Sequence, residues 1–236
     1  MIKISIFVEG QTEQLLTTWL IQKLHPEGGI TIDEKKIQGR VMSQINIIPM
    51  GKNDQFEPIY IQVLDCSGES GVPSRIKDRM SKLKEQNFNQ IYALLDLHPR
   101  PLALYQHYLD GLNKGIGAKL VPTEIHLAIH EIEAWFIADV DCLKSMHPTL
   151  TPEKVYELIG FNPEINNVET FLNPADLLME IMASVGKGYG KSKAEVNKII
   201  NGINFAFYNS ITRSRVDKLG KYMNAIEDIR SIQGVA

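Results

Sequence analysis

Residues 2–13 constrain the fold of this chain more than any other stretch. Ile2, Ile4, Ile6 and Val8 share one face and Phe7 lies on the other, which predicts a strand buried on most of its surface. The run stops at Glu9-Gly10, where glycine is expected to supply the backbone freedom of a tight turn. After Gln11-Thr12-Glu13, the residues Leu15, Leu16, Trp19, Leu20 and Leu24 recur at helical spacing, and Pro26 follows. A strand that feeds a helix with almost no loop predicts an α/β fold. Ligands of open α/β sheets bind beyond the carboxyl ends of the strands, and Glu9 falls there. Glu13 lies in the first helical turn, where an acid also suits the positive end of the helix by itself.

The first half of the chain keeps alternating. Residues 28–39 and 41–50 read as extended, Ile59 to Leu64 as a strand, and 66–71 as a turn. Ser74 is placed to cap a helix over 75–86 that carries Ile76, Met80 and Leu83 on one face. The apolar run Gln90 to Leu95 predicts a strand that ends in Asp96, followed by a helix over 102–114 and a strand over 119–129. Beyond Glu131 strand signals fade, and helices are expected over 132–143, 152–159, 174–185, 192–203 and 213–229. The expected organisation is an α/β domain over 1–138 with a helical C-terminal region over 139–236.

Composition bounds the function. At 236 residues, 44% hydrophobic and 22% charged, the chain can bury a sizeable core. Its net charge of −3 leaves nucleic-acid binding to a local patch. Cys66 and Cys142 lack paired spacing, so neither a disulfide framework nor a zinc ribbon is expected. The N-terminus reads as a core strand rather than a leader, and no apolar run is long enough for a membrane span. A cytoplasmic location without membrane contact is therefore the expectation, and oligomeric state stays open.

Glu9, Asp96 and the pair Glu131/Glu133 each fall at the end of an apolar strand or at the junction that follows it. In a parallel sheet such ends cluster. Clustered carboxylates repel one another and call for a cation, and hard oxygen ligands suit magnesium or manganese. Such a site supports phosphoryl transfer or phosphodiester hydrolysis.

These residues carry a resemblance. Val8-Glu9-Gly10-Gln11-Thr12-Glu13, an apolar strand ending in Asp96, and Glu131-Ile132-Glu133-Ala134-Trp135-Phe136 resemble the Toprim-like family of small prokaryotic proteins related to the nuclease domain of OLD-family proteins. Lys187-Gly188-Tyr189-Gly190-Lys191-Ser192 and a closing helix after Ser210 are similar to the family's C-terminal elements. The resemblance implies a Toprim-like, mostly parallel sheet flanked by helices, with a divalent-metal site. Glu9 and Asp96 would bind the metal, and Glu13 and Glu133 would complete the site, with Glu131 as second choice for the last carboxylate. The family's Asp-x-Asp element reads Asp96-Leu97-His98 here, so a two-metal mechanism loses one ligand. His98 is a candidate metal ligand or base, or a residue that shapes the turn before Pro99. Lys191 and Tyr189, with Lys187, are candidates to steady a nucleic-acid phosphate, although lysines in a glycine-rich loop are as readily only solvated.

Rival motifs fail. A nucleotide loop ending in Gly190-Lys191-Ser192 would need glycine where Val185 stands, and a zinc-protease helix starting at His130-Glu131 would need histidine where Ala134 stands. His126 and His130 share a face, yet two satisfied histidines are the stronger reading than a zinc pair. The expected function is a magnesium- or manganese-dependent nuclease acting on DNA or RNA beside an ABC- or SMC-type ATPase partner, in phage defence or DNA repair. The alternative is a non-catalytic Toprim-like module that binds nucleic acid or a partner.

Overall fold

The computed structural model describes residues 1–68 and 71–233. Of the turn expected over 66–71, Glu69 and Ser70 lie outside the described residues. The architecture is mixed α/β: a six-stranded, mostly parallel sheet flanked by helices, with a helical C-terminal region. The strands are β1 (Ile2–Val8), β2 (Ile30–Gln38), β3 (Val41–Pro49), β4 (Ile59–Asp65), β5 (Gln90–Asp96) and β6 (Thr123–Ala128), in the order β3-β2-β4-β1-β5-β6. β1 pairs in parallel with β4 and β5, and β2 in parallel with β4. β2 and β3 instead form an antiparallel hairpin, bulged between Glu34 and Lys35, so one strand of the sheet runs against the rest.

Helix α1 (Gln11–Leu24) leads from β1 to β2, and α2 (Gly71–Glu85) from β4 to β5. These crossovers leave neighbouring strands in opposite directions, and the right-handed rule puts their helices on opposite faces. A topological switch point thus lies between the carboxyl ends of β1 and β4. α1 buries Leu16, Trp19, Leu20 and Ile21, and Gln14 pins it to the sheet by donating to the carbonyls of Lys35 and Val63 at 2.9 and 2.8 Å. α2 begins four residues before the expected start. Pro73 can sit in its first turn because no amide partner is required there, and the Ser74 hydroxyl donates to the Gly71 carbonyl from inside the helix instead of capping it.

Contacts divide the chain into two units. The first comprises Met1–Leu95, Ala103–Leu127 and Asn224–Ala236. Its core is Ile4, Ile6, Phe7 and Val8 of β1, Ile61, Val63 and Leu64 of β4, and Ile91, Ala93 and Leu94 of β5. The chain beyond Asn224 belongs here because His25 reaches the Ile226 carbonyl at 2.8 Å and Arg230 pairs with Glu27. The second unit comprises Asp96–Leu102 and Ala128–Met223. It holds α4 (Glu133–Ile137), α5 (Val140–Met146), α6 (Pro152–Ile159), α7 (Pro174–Ala183), α8 (Lys193–Gly202) and the helix Asp217–Glu227 as far as Met223, while α3 (Tyr105–Ile116) lies in the first. The helix expected over 132–143 is broken in two, because Asp139 leaves helical geometry and its carboxylate accepts from the Cys142 amide at 3.3 Å to start α5. Among the described residues no helix is long and apolar enough to cross a membrane.

His126, on β6, is buried beside the Tyr92 ring, at 6.0 Å between centroids. Burial pulls its pKa down to about 4; the Glu124 carboxylate 3.3 Å away is more than half exposed, so water screens it. A histidine depressed in the folded state contributes its stability above the unfolded value of about 6.5 and loses it as pH falls toward 4. The loss amounts to about 3 kcal/mol. Urea denaturation of His126→Gln is expected to show a flatter fall in stability between pH 6.5 and 4 than the wild type; parallel curves would mean that His126 does not drive it.

Candidate active site

In the first unit, the carboxyl ends of β1 and β4 carry two acids. Glu9 follows β1 and is held through its backbone: its amide donates to the Leu94 carbonyl at 3.1 Å, and its carbonyl accepts from Gly68 at 2.8 Å. Asp65, the last residue of β4, is buried; its carboxylate accepts from the Ser67 amide at 2.7 Å and lies 3.3 Å from Lys36 Nζ. The strand pattern in the sequence ends at Leu64, one residue short of Asp65, which the structure includes in β4. The signal that singles out Asp96, an apolar strand running into an aspartate, was present there too.

The Glu13 carboxylate accepts from the Gly10 amide at 2.9 Å, so it serves the helix start. Gly10 is extended, at φ −153°, and its part in the turn is spatial: an added Cβ would come within 3.3 Å of Glu13 Oε2. The backbone freedom expected of Gly10 is therefore not what the turn uses.

In the second unit, residues from three distant segments converge. Asp96 Oδ1 accepts from the Ile132 amide at 3.0 Å, which places the segment leading into α4. Glu131 Oε2 accepts from the Ala175 amide in the first turn of α7 at 2.9 Å, and its Oε1 lies 3.8 Å from Lys191 Nζ. Glu133 is fully buried. Its Oε1 receives the Tyr189 hydroxyl at 3.0 Å and lies 2.9 Å from Lys191 Nζ, while its Oε2 is buried with no hydrogen-bond partner among the described residues. Burial pulls the Lys191 ammonium down, but Glu133, then Glu131 and Asp96, outweigh it and hold its pKa above the ordinary value.

Lys191 is delivered by a capped loop. Glu195 accepts from the amides of Gly190 and Ser192 at 3.1 and 3.0 Å, and Ser192 starts α8 as its N-cap. Lys191 and His130 both adopt φ +57°, two of the four non-glycine residues with positive φ among the described residues, and a third, Ser67, follows Asp65. Left-handed backbone at a bulky residue costs free energy and persists where surrounding structure holds it, as at functional sites. Lys187 does not join the cluster. It faces Lys198, whose hydrogen bond and charge hold its pKa below the ordinary lysine value.

His98 is exposed, and its amide donates to the His130 carbonyl at 2.7 Å. Burial, followed by the neighbouring His98, holds His130 below its ordinary pKa. The cysteines are not thiolate nucleophiles: burial pushes Cys66 up to about 12 and Cys142 well above its usual value.

A family model described as a domain of unknown function (DUF4276) matches residues 8–215. The chain belongs to this family. The match takes in Glu9, Asp96, Glu131, Glu133 and Lys191, so the acids of both units and the lysine loop lie inside the DUF4276 domain. No curated protein and no solved structure matches.

The fit to a divalent metal can be tested on the side chains. Among the described residues no group of three or more His, Cys, Asp or Glu is arranged to hold a metal, and the Lys191 ammonium lies among the acids of the second unit. Magnesium, however, is commonly held by one or two carboxylates, with water and substrate phosphate completing its shell. The buried, unpartnered Oε2 of Glu133 is a hard oxygen donor of the right type. The donor chemistry fits such a partly hydrated ion, though not an all-protein cage.

Proposed function

We propose that this protein is a divalent-metal-dependent phosphodiester hydrolase acting on DNA or RNA. The observation that carries this reading is the convergence of Asp96, Glu131 and Glu133 on the Lys191 ammonium, with one Glu133 oxygen left open. Magnesium or manganese, when bound, supplies charge for the phosphate and an acidified water. Glu133, with Asp96 or Glu131 beside it, would hold the ion. Lys191 brings a point charge to a phosphate oxygen. The Tyr189 hydroxyl fixes the orientation of Glu133, and its burial keeps bulk water from Oε1. Glu9 enters from the sequence pattern, as the metal-holding glutamate that the Toprim resemblance implies at the end of β1, and Glu13 supports it by closing the turn. A nucleic-acid substrate, an ABC- or SMC-type ATPase partner and a cytoplasmic role in phage defence or DNA repair belong to the same proposal.

Calorimetric titration with magnesium or manganese, paired with cleavage of single- and double-stranded DNA and RNA, tests it on wild type, Asp96→Asn and Glu9→Gln. Each variant is expected to lose metal affinity or cleavage by on the order of 10- to 100-fold, with melting temperature retained. Absence of cleavage from the wild type in every combination of metal and substrate would sink the hydrolase. The non-catalytic module would then take its place, favoured by the histidine at position 98 and by Lys191 compensating Glu133 without any metal.

A further inference from the structure

A cavity lies wholly within the first unit, toward the amino ends of β1 and β4 and against the C-terminal half of α2. Its volume is about 540 Å³, within the range of small-molecule sites. On β1 and β4 its lining stops at Lys3 and Gln62, short of Glu9 and Asp65 at the carboxyl ends.

Its lining is strongly cationic in a chain of net charge −3. Lys3, Lys35, Arg79 and Lys82 line it, with Glu85 as the only acid of the lining among the described residues. Lys35 is compensated by Asp33, whose carboxylate lies 2.7 Å away. Lys3 Nζ donates to the Gln86 carbonyl at 2.9 Å, which leaves its charge unneutralised. Among the described residues, no ion pair engages Arg79 or Lys82. These two stand three residues apart on α2, so they present their charges along one side of the helix. Phosphate and carboxylate are the anions that such donors recognise, and three cations on one cavity suit the several charges of a polyphosphate.

The rest of the lining is aromatic and amide-bearing. Tyr60 and Phe88 both border the cavity, with ring centroids 6.3 Å apart in an edge-to-face arrangement, and Met42 adds a flexible apolar wall. Gln62 and Asn87 also line it; the Gln62 amide nitrogen already donates to the Ser5 hydroxyl at 2.8 Å, so its amide oxygen and the Asn87 amide are the groups that can pair with the edge of a heterocyclic base. The Tyr60 ring is fixed from behind, its hydroxyl donating to Asp33 at 2.5 Å and accepting from Lys35 at 3.2 Å. Cationic, amide and aromatic side chains that line one cavity match a ligand that is half anion and half flat ring.

We infer that this cavity binds a free nucleoside di- or triphosphate, with the phosphates on Arg79, Lys82 and Lys3 and the base against Tyr60 and Phe88. The site differs from the proposed hydrolytic one in location and in ligand, and neither reading depends on the other.

Calorimetric titration of the full chain with ATP, without added divalent cation, is the test, with adenosine and sodium pyrophosphate as part-ligands. ATP is expected to bind one to one, more weakly as sodium chloride is raised. Adenosine and pyrophosphate are each expected to bind at least about tenfold more weakly than ATP. Arg79→Ala/Lys82→Ala should weaken ATP by at least about tenfold, whereas Lys77→Ala/Lys84→Ala, exposed lysines of the same helix, should leave it unchanged. Phe88 is buried, so Phe88→Leu is read only alongside its melting curve, and a folded variant should also bind ATP more weakly. Failure of ATP to bind, equal affinity for pyrophosphate and ATP, equal loss in both double variants, or binding of a single-stranded oligonucleotide but not of ATP would each overturn the assignment.

Discussion

Lys191→Met is expected to cost about 2–3 kcal/mol of folding stability, and Lys191→Met/Glu133→Gln to recover most of it. Glu133 has no exposed surface, and two groups, the Lys191 ammonium at 2.9 Å and the Tyr189 hydroxyl at 3.0 Å, meet the same oxygen. Removing the ammonium leaves a buried carboxylate with one neutral donor. Loss of one partner of a fully buried pair costs about 3–5 kcal/mol, but the lysine side chain is 44% exposed and already partly hydrated, so the lower figure applies. Glutamine keeps the shape and still accepts from Tyr189 while carrying no charge to compensate. Urea midpoints of the two single variants and the double would decide the matter; a double variant as weak as Lys191→Met would show that the lysine acts through packing. Under the proposed chemistry, Lys191→Met should also lower cleavage by on the order of 10²-fold, because a charge aimed at the phosphate is gone. The double variant should regain stability without regaining cleavage, which separates the two roles of the lysine.

Trp135→Ala is expected to be more damaging to the fold, at about 3–5 kcal/mol. The indole has no exposed surface and stacks on Tyr222, with ring centroids 6.1 Å apart and planes inclined by 29°. Truncation removes this contact and leaves a cavity that α4 cannot collapse into, because Glu133 on the same short helix is held by Lys191 and Tyr189. Trp135→Phe should cost far less, about 1 kcal/mol: the indole Nε1 is buried with no hydrogen-bond partner among the described residues, so the replacement also removes an unsatisfied donor. Denaturant midpoints that ranked Phe with Ala would contradict this account of the site. The comparison bears on function because Trp135 holds the helix that presents Glu133.

What was legible in the sequence follows from the range of the forces involved. β1 and the first helix of the chain could be read from it because their apolar residues recur at 2.0 or 3.6 residues, and β5 because Ile91 to Leu95 form an unbroken apolar run, signals that neighbouring side chains carry by themselves. The end of the β5 run marks Asp96 as a strand end, and Asp65 stands in the same position after Val63 and Leu64 of β4. Capping was half legible. Ser192 was placed at a helix start as its chemistry requires, but Asp139 divides what reads as one continuous apolar segment, and only its bond to the Cys142 amide shows the break.

The sequence alone determined the α/β class, the strand-end positions of the acids and the lysine-tyrosine loop, because these depend on local periodicity and turn chemistry. Tertiary structure alone decided the use each side chain is put to. It set Glu13 on the Gly10 amide, turned Lys187 toward Lys198, and brought Lys191 to Glu133 across 58 residues of chain. Such pairings follow from how whole helices bury their faces, and a carboxylate acquires its partner only after that burial has removed the water that would otherwise have served it.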